Sequence, residues 1–188
     1  MISAILLAAG QSKRMNGENK LTKEIQGTPL IKISVKNILL SSIGELIVVL
    51  GYQKEIIEKL IDNHEKIKFV FNKDFESGMA SSIKVGLNHL SKNTESFFIC
   101  LGDMPMVNSD IYNQLIQSKN NKEIIVPTYK GQQGNPILFS KSIKEKIITI
   151  QGDVGAKKIL ELNKNKILNV EVGNQSIKKD FNTKDDFI

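Results

Sequence analysis

The sequence predicts an α/β fold with a mostly parallel central sheet. Two observations carry that expectation: short apolar runs that stop abruptly at Gly or Asp, and intervening segments whose apolar residues recur at helical spacing. Strand and helix trade places as far as residue 101, which is the rhythm of βαβ units joined by right-handed crossovers. At 188 residues, 40% hydrophobic and 24% charged, the chain has the size and composition of one self-folding domain over 1–188 and is short for two.

Each element has a local reason. Residues 2–7 are a strand closed by Ala8-Ala9-Gly10, after which 11–20 is a polar loop containing Gly17. Pro29 suits the first position of a helix over 29–40, in which Leu30, Ile33, Val35, Ile38 and Leu39 lean to one face. After Glu45, the run 46–50 has no polar residue before Gly51; a strand without alternation is one buried on both faces. A helix over 54–62, a strand over 67–71, a helix over 79–90 and a strand over 97–101 follow, the last cut off by Gly102-Asp103. Beyond Asp103 the pattern loosens into a helix near 108–117, strands at 123–127 and 135–139, helices at 141–148 and 154–161, and a strand at 167–172, so a mixed sheet edge is expected there. In sheets of this kind ligands sit beyond the carboxyl ends of the strands.

Composition excludes several chemistries. One cysteine, Cys100, leaves no internal disulfide, and with only His64 and His89 beside it a His/Cys metal cage is ruled out, which leaves a hard, oxygen-liking cation. Cys100 lies within an apolar strand and reads as a small core residue. No apolar stretch is long enough to span a membrane, and residues 1–7 lack the basic start of a signal peptide, so a soluble cytoplasmic protein is expected. The formal charge of +6 raises a polyanion as partner, but the lysines are dispersed, with neither a long basic run nor an aromatic stripe, which argues against nucleic acid. Arg14 is the sole arginine among 26 basic residues, and its planar fork is what bidentate phosphate binding needs.

Four constellations can carry chemistry. Gly10 and Gly17 let the first loop turn and offer N–H groups to an anion, with Lys13, Arg14 and Lys20 adding charge; an ordinary basic surface loop is the bland alternative. Neither the dinucleotide fingerprint nor the P-loop fits this stretch. Leu101-Gly102-Asp103-Met104-Pro105 puts a carboxylate at a strand's carboxyl end, where it can hold Mg²⁺ against phosphate oxygens or simply end the strand. Gly78-Met79-Ala80-Ser81-Ser82 opens a helix with small residues that can admit a planar base or ribose, or can serve only as a cap and tight packing. Last come Gly134-Asn135-Pro136, Gly152-Asp153-Val154-Gly155 and Asp180-Phe181-Asn182-Thr183, the last with Asp186 placed as in a capping box.

Taken together, Leu7-Ala8-Ala9-Gly10-Gln11-Ser12-Lys13-Arg14-Met15 with Asn19-Lys20-Leu21, the small-residue box, Gly102-Asp103-Met104-Pro105 and Gly152-Asp153-Val154-Gly155-Ala156 resemble the MobA-like nucleotidyltransferases, most closely the molybdenum cofactor cytidylyltransferases. The resemblance runs along nearly the whole chain in the family's order. Asn16 stands where the family usually has Gly, Asn135 where His is common before Pro136, and Lys157 where Arg is usual. Members that transfer GMP usually carry a second Gly in the opening box, so Ala9 aligns the chain with the pyrimidine users.

The resemblance implies a three-layer, Rossmann-like (GT-A-like) fold with about seven strands, and CMP transfer from CTP to the terminal phosphate of molybdopterin or the molybdenum cofactor. It implies Arg14, Lys20 and Asp103 as catalytic residues. Leu7, Ala8, Ala9, Gly10, Ser12, Lys13, Gly78, Ser81, Ser82 and Gly102 would bind the nucleotide. Asp103 would hold magnesium, with manganese as a substitute, joined by Asp180 or Asn182. Asn135, Pro136 and Asp153 would meet the acceptor. A molybdenum hydroxylase is the kind of client such a product serves. The rival expectations are a guanylyltransferase, a cytidylyltransferase for a sugar or polyol phosphate, and a non-catalytic cofactor-delivery protein.

Overall fold

The chain runs β1 (Ile2–Ala8), a small hairpin of β2 (Glu24–Ile25) and β3 (Thr28–Pro29), α1 (Leu30–Leu39), β4 (Glu45–Leu50), α2 (Lys54–Lys59), β5 (Ile67–Phe71), α3 (Met79–Asn88) and β6 (Ser96–Leu101). It continues through α4 (Ser109–Gln117), β7 (Ile124–Tyr129), β8 (Gln132–Gln133), β9 (Ile137–Ser140), α5 (Lys144–Ile148), α6 (Lys157–Leu162) and β10 (Ile167–Glu171). This is a computed structural model, which describes residues 1–12, 15, 18–149, 157–182 and 186.

The unbroken run expected to be buried on both faces is β4, with Leu46, Val48 and Leu50 in one apolar layer and Ile47 and Val49 in the other, and the neighbouring β1 is built the same way. Its side chains serve two apolar layers in turn: Ala4, Leu6 and Ala8 pack with Leu30, Ile31, Val35 and Ile38 of α1, and Ile5 packs with Ala80, Ile83 and Leu87 of α3. Ile57 of α2 and Ile111, Tyr112 and Leu115 of α4 extend the first layer, while Ile147 of α5 and Ile159 of α6 extend the second. The sheet order is β10-β7-β9-β6-β1-β4-β5, with β8 paired to β7. Pairings β1–β4, β1–β6, β4–β5 and β7–β10 are parallel, and β9 runs against both of its neighbours. From β1 the chain steps outward through β4 to β5 and then returns to the other side of β1 as β6. The connections leaving β1 and β6 therefore diverge at their carboxyl ends and open a crevice between them.

Two close approaches shape that end of the sheet. A Cβ on Gly102 would stand 2.9 Å from the Leu7 carbonyl oxygen, and one on Gly134 would stand 2.3 Å from that of Ile177. The second contact belongs to a segment that follows β10 and folds back over the strand ends: Val172, Ile177 and Phe181 are buried in the first layer. The Asn135 N–H donates to the Ile177 carbonyl (2.8 Å) and the Phe181 N–H to that of Asp103 (2.9 Å). No described helix is long and apolar enough to cross a membrane.

The mixed pairing expected beyond Asp103 comes from the reversed β9, which lies inside the sheet between β6 and β7 rather than at its edge. Several boundaries differ from expectation. Pro29 is extended (ψ 136°) and pairs with Glu24, so the helix starts at Leu30. The helix at 54 stops at Lys59, and that at 141 opens as a 3₁₀ turn before α5. Residues 154–156 of the helix expected at 154–161 lie outside the described residues; α6 occupies Lys157–Leu162. Neither short hairpin was expected, because two-residue strands carry no periodicity. Both turn through consecutive left-handed residues, Gln26-Gly27 (φ 50° and 76°) and Lys130-Gly131 (φ 51° and 74°), the geometry that suits the twist of a two-residue hairpin loop.

Candidate active site

A cavity of about 600 Å³ opens at the carboxyl ends of β1 and β6. Its walls are Leu7, Ala9, Gly10, Gln11 and Ser12 on the β1 side, Leu101, Gly102 and Asp103 on the β6 side, the 75–79 turn with Ser82, and Lys20, Leu21, Asp180 and Asn182. The volume is in the range of small-molecule sites.

The β1 loop is set by local bonds. Ser12 takes a left-handed conformation (φ 51°), its carbonyl accepts from the Met15 N–H (2.8 Å), and its hydroxyl accepts from the Lys20 N–H (3.0 Å). The Asn19 side chain then accepts from the Leu21 N–H (3.1 Å), capping a 3₁₀ turn over Lys20–Thr22. These bonds aim the Lys20 side chain into the cavity. Its Nζ donates to Asp103 Oδ2 (2.5 Å) and to Asn182 Oδ1 (2.7 Å), and Asn182 Nδ2 donates to Asp180 Oδ2 (2.6 Å). Residues from three distant parts of the chain thus meet around one ammonium group.

Behind the opposite wall, Asn72 directly follows β5 and is almost fully buried. Its amide donates to Ser81 Oγ (2.8 Å) and Ser82 Oγ (2.9 Å), while its carbonyl oxygen accepts from the Asp74 N–H (3.0 Å). Asn72 thereby fixes the start of α3, which follows Gly78 at φ 106°, a conformation open to Gly and costly for other residues. Across the mouth, Gln11 Nε2 donates to Glu76 Oε1 (2.9 Å).

The structure brings most of the expected residues together. Leu7, Ala9, Gly10, Ser12, Lys20, Gly78, Ser82, Gly102, Asp103, Asp180 and Asn182 all line the cavity. Ala8 points into the core instead, and Ser81 spends its hydroxyl on Asn72 and on the Asp74 and Gly78 carbonyls. Asn135 and Pro136 stand one strand away, off the lining, where Asn135 holds the returning segment. Lys13, Arg14 and Asp153 lie outside the described residues, as do Gly17, Gly152, Val154, Gly155 and Thr183. Asp186 accepts from the Asn182 N–H (2.9 Å), one residue before Thr183, with which the capping-box spacing was expected. Sequence reasoning missed Asn72 and Phe75-Glu76; a polar residue directly after an apolar strand was the available signal for Asn72.

A magnesium-type cation fits the donor set. The oxygens of Asp103 and Asn182 already converge on a cation, the Lys20 ammonium, and Asp180 stands beside them. Among the described residues there is no group of three or more His, Cys, Asp or Glu that could hold a metal. Mg²⁺ does not need one, because it binds through one or two carboxylates and completes its shell with phosphate oxygens and water. His64 and His89 are on the surface, and burial pushes the Cys100 thiol up to about 12, only partly offset by a hydrogen bond from Tyr112, so the thiol is inert in the fold.

The profile of the MobA-like NTP transferase domain matches residues 4–169. The chain belongs to the MobA-like NTP transferases. Among its relatives in this family, the molybdenum cofactor cytidylyltransferase of Escherichia coli (strain K12) is 32% identical over 187 residues, covering 100% of this chain and 94% of that protein. A "Probable molybdenum cofactor guanylyltransferase" of Methanosarcina acetivorans is 32% identical over 134 residues, covering 68% of this chain and 57% of its own length. Rv0371c from Mycobacterium tuberculosis H37Rv shares the fold at a TM-score of 0.88 and 23% identity, covering 99% of this chain and 95% of that one; its complex with manganese gives 0.83 at 21% identity, with the same coverage. Family and fold make this MobA-like chain a nucleotidyltransferase.

Proposed function

We propose that the chain, acting as one catalytic unit over 1–188 in the cytoplasm, transfers CMP from CTP to the terminal phosphate of molybdopterin or the molybdenum cofactor and releases pyrophosphate. The observation that carries the reaction class is the convergence of Lys20, Asp103 and Asn182 on the floor of a cavity sized for a nucleotide. The cytidylyl and cofactor assignments follow the full-length likeness to the E. coli protein and the presence of Ala9, rather than a second Gly, on the cavity wall.

An oxygen of the acceptor phosphate forms a bond to the α-phosphorus of CTP, and the bond from that phosphorus to the β-bridging oxygen breaks, its electron pair leaving with pyrophosphate. A phosphate monoester loses its second proton near pH 6, so the attacking group is largely dianionic at neutral pH and needs no general base. The residues need only position the reactants and balance charge. Lys20 stabilises the charge that grows at the α-phosphate. Arg14, by the family resemblance, grips the departing β,γ-phosphates. Asp103, with Asn182 and Asp180 beside it, holds magnesium, and the manganese complex of the mycobacterial neighbour supports a divalent ion in this fold. The ion supplies charge neutralisation to the triphosphate. Gly78 and Ser82 border the base, with Asn72 holding Ser82 in place.

The Methanosarcina relative favours a second reading, GMP transfer. Pyrophosphate release with CTP, GTP or UTP, each with Mg²⁺ and molybdopterin, decides between them, and CTP is expected to be used best. Thermal shifts report the same order, since a ligand at 100 times its Kd stabilises by about 2.7 kcal/mol. A larger shift and faster release with GTP would overturn the pyrimidine assignment, and no release with any nucleotide would favour a cofactor-delivery protein.

A further inference from the structure

We infer that Lys20 is a built-in competitor of the divalent cation: its ammonium holds the cation position between Asp103 and Asn182 until the metal displaces it. The inference rests on the reading of Asp103 as the metal ligand. Nζ stands 2.5 Å from Asp103 Oδ2 and 2.7 Å from Asn182 Oδ1, and both side chains of the ion pair are mostly shielded from solvent, at 18% and 16% exposed. A magnesium ion bound to the same carboxylate oxygen would sit about 2.1 Å from it. Two cations cannot share that oxygen at these distances in a partly desolvated cleft, so entry of one requires departure of the other.

The backbone of Lys20 cannot retreat to make room. Its N–H is held by Ser12 Oγ, its carbonyl accepts from the Lys23 N–H (3.2 Å), and Asn19 caps the turn around it. Only the flexible four-carbon stem can move, and the space open to it is the cavity, which Lys20 already lines. A triphosphate in that cavity receives the displaced ammonium. Without one, the lysine gives up its carboxylate partner for water. The metal is therefore bound weakly by the free protein and more tightly once an anion has taken Lys20, and by linkage the anion gains by the same factor from the metal.

Manganese alone, titrated into the full chain without nucleotide and followed by the electron paramagnetic resonance of free Mn²⁺, tests this. Lys20→Met is expected to bind Mn²⁺ at least ~10-fold more tightly than the wild type, as removal of a competing charge should allow. Lys20→Arg, which keeps the charge, should stay near the wild type, and Asp103→Asn should bind none at the site. Equal affinity in wild type and Lys20→Met, with binding lost in Asp103→Asn, would overturn the competition while leaving Asp103 as the ligand. Wild-type affinity in Asp103→Asn would instead remove the metal reading, and the inference with it. A measurement on the wild type alone guards against a misfolded variant. Acetylation of Lys20 by limiting acetic anhydride, read by mass spectrometry, should rise on adding Mg²⁺ while that of Lys178, an exposed lysine off the cavity that donates to Gln132, does not, and an unchanged rate at Lys20 counts against displacement.

Discussion

Two lysine–carboxylate clusters lie at opposite ends of the sheet. Lys20, Asp103 and Asn182 meet beyond the carboxyl ends of β1 and β6. Lys166, Glu123 and Ser142 meet at the amino ends of β7 and β10, where Lys166 Nζ and Ser142 Oγ both donate to the Glu123 carboxylate. The chemistry is nearly the same and the setting is not. Glu123 and Lys166 each directly precede one of two adjacent parallel strands, their side chains are 28% and 31% exposed, and the pair staples a register the backbone already fixes. Lys20 and Asp103 come from elements 83 residues apart, are better shielded, and face a cavity. An ion pair becomes chemical equipment when a space beside it admits a competing charge; without that space it is a surface fastening.

Breaking the first cluster should have the largest consequences. Asp103→Ala is expected to abolish Mg²⁺-dependent pyrophosphate release while leaving the fold intact; undiminished turnover would contradict the assignment. Cys100 supplies the fold control. With its thiol pushed up to about 12, it should resist alkylation at mildly alkaline pH until the protein unfolds, and Asp103→Ala should keep that protection. Lys20→Ala should slow turnover about 100- to 1000-fold, since removing one charge-stabilising donor typically costs about 2.7 to 4 kcal/mol, and an effect under about tenfold would count against its role. Arg14→Lys keeps the charge and loses the bidentate fork, so a smaller loss is expected, read chiefly as a raised KM for CTP.

Breaking the second cluster should do least. Glu123→Gln is expected to leave turnover unchanged and lower the melting temperature only slightly, as exposed pairs usually do. Hydrogen bonds from Lys166 and Ser142 hold the Glu123 carboxyl below its usual value, and the partner Lys166 is correspondingly raised. A carboxyl depressed in the folded state contributes stability above its ordinary value and loses it as the pH falls through the folded value. The melting difference between wild type and Glu123→Gln should therefore be present at neutral pH and vanish on acidification below that point. A difference that grew in acid would refute the pairing.

Much of this was legible before any coordinates. Regular parallel units announce themselves because both-faced burial writes unbroken apolar runs and amphipathic helices write a 3.6-residue period. Within those limits β1, β4, β5 and β6 fell close to their expected bounds. The two hairpins did not, since Gln26-Gly27 and Lys130-Gly131 act through backbone conformation rather than a repeating pattern. Lys20 and Asp103 stood out by residue type and by the strand exits they follow, whereas Asn182 was given its metal role only through the family resemblance. Asn72 was not, because its role appears only when the end of β5 and the start of α3 are side by side. Asn135 and Pro136 sit off the cavity because β9 is displaced from β1 by the width of β6 and the Asn135 N–H is committed to Ile177.

By itself the sequence determined the main alternation of strands and helices, which residue types are available for phosphate and hard-cation chemistry, and which soft-metal and disulfide chemistries are excluded. These follow from local periodicity and from an inventory of side chains. Only the tertiary structure decided that Lys20 lies on Asp103 and that the returning segment carries Asn182 to the same point. It also decided that Asn72 sets the hydroxyl of Ser82. Such contacts join residues up to 162 positions apart, and their distances depend on strand order and on close passages such as Gly102 over Leu7, which no local pattern encodes.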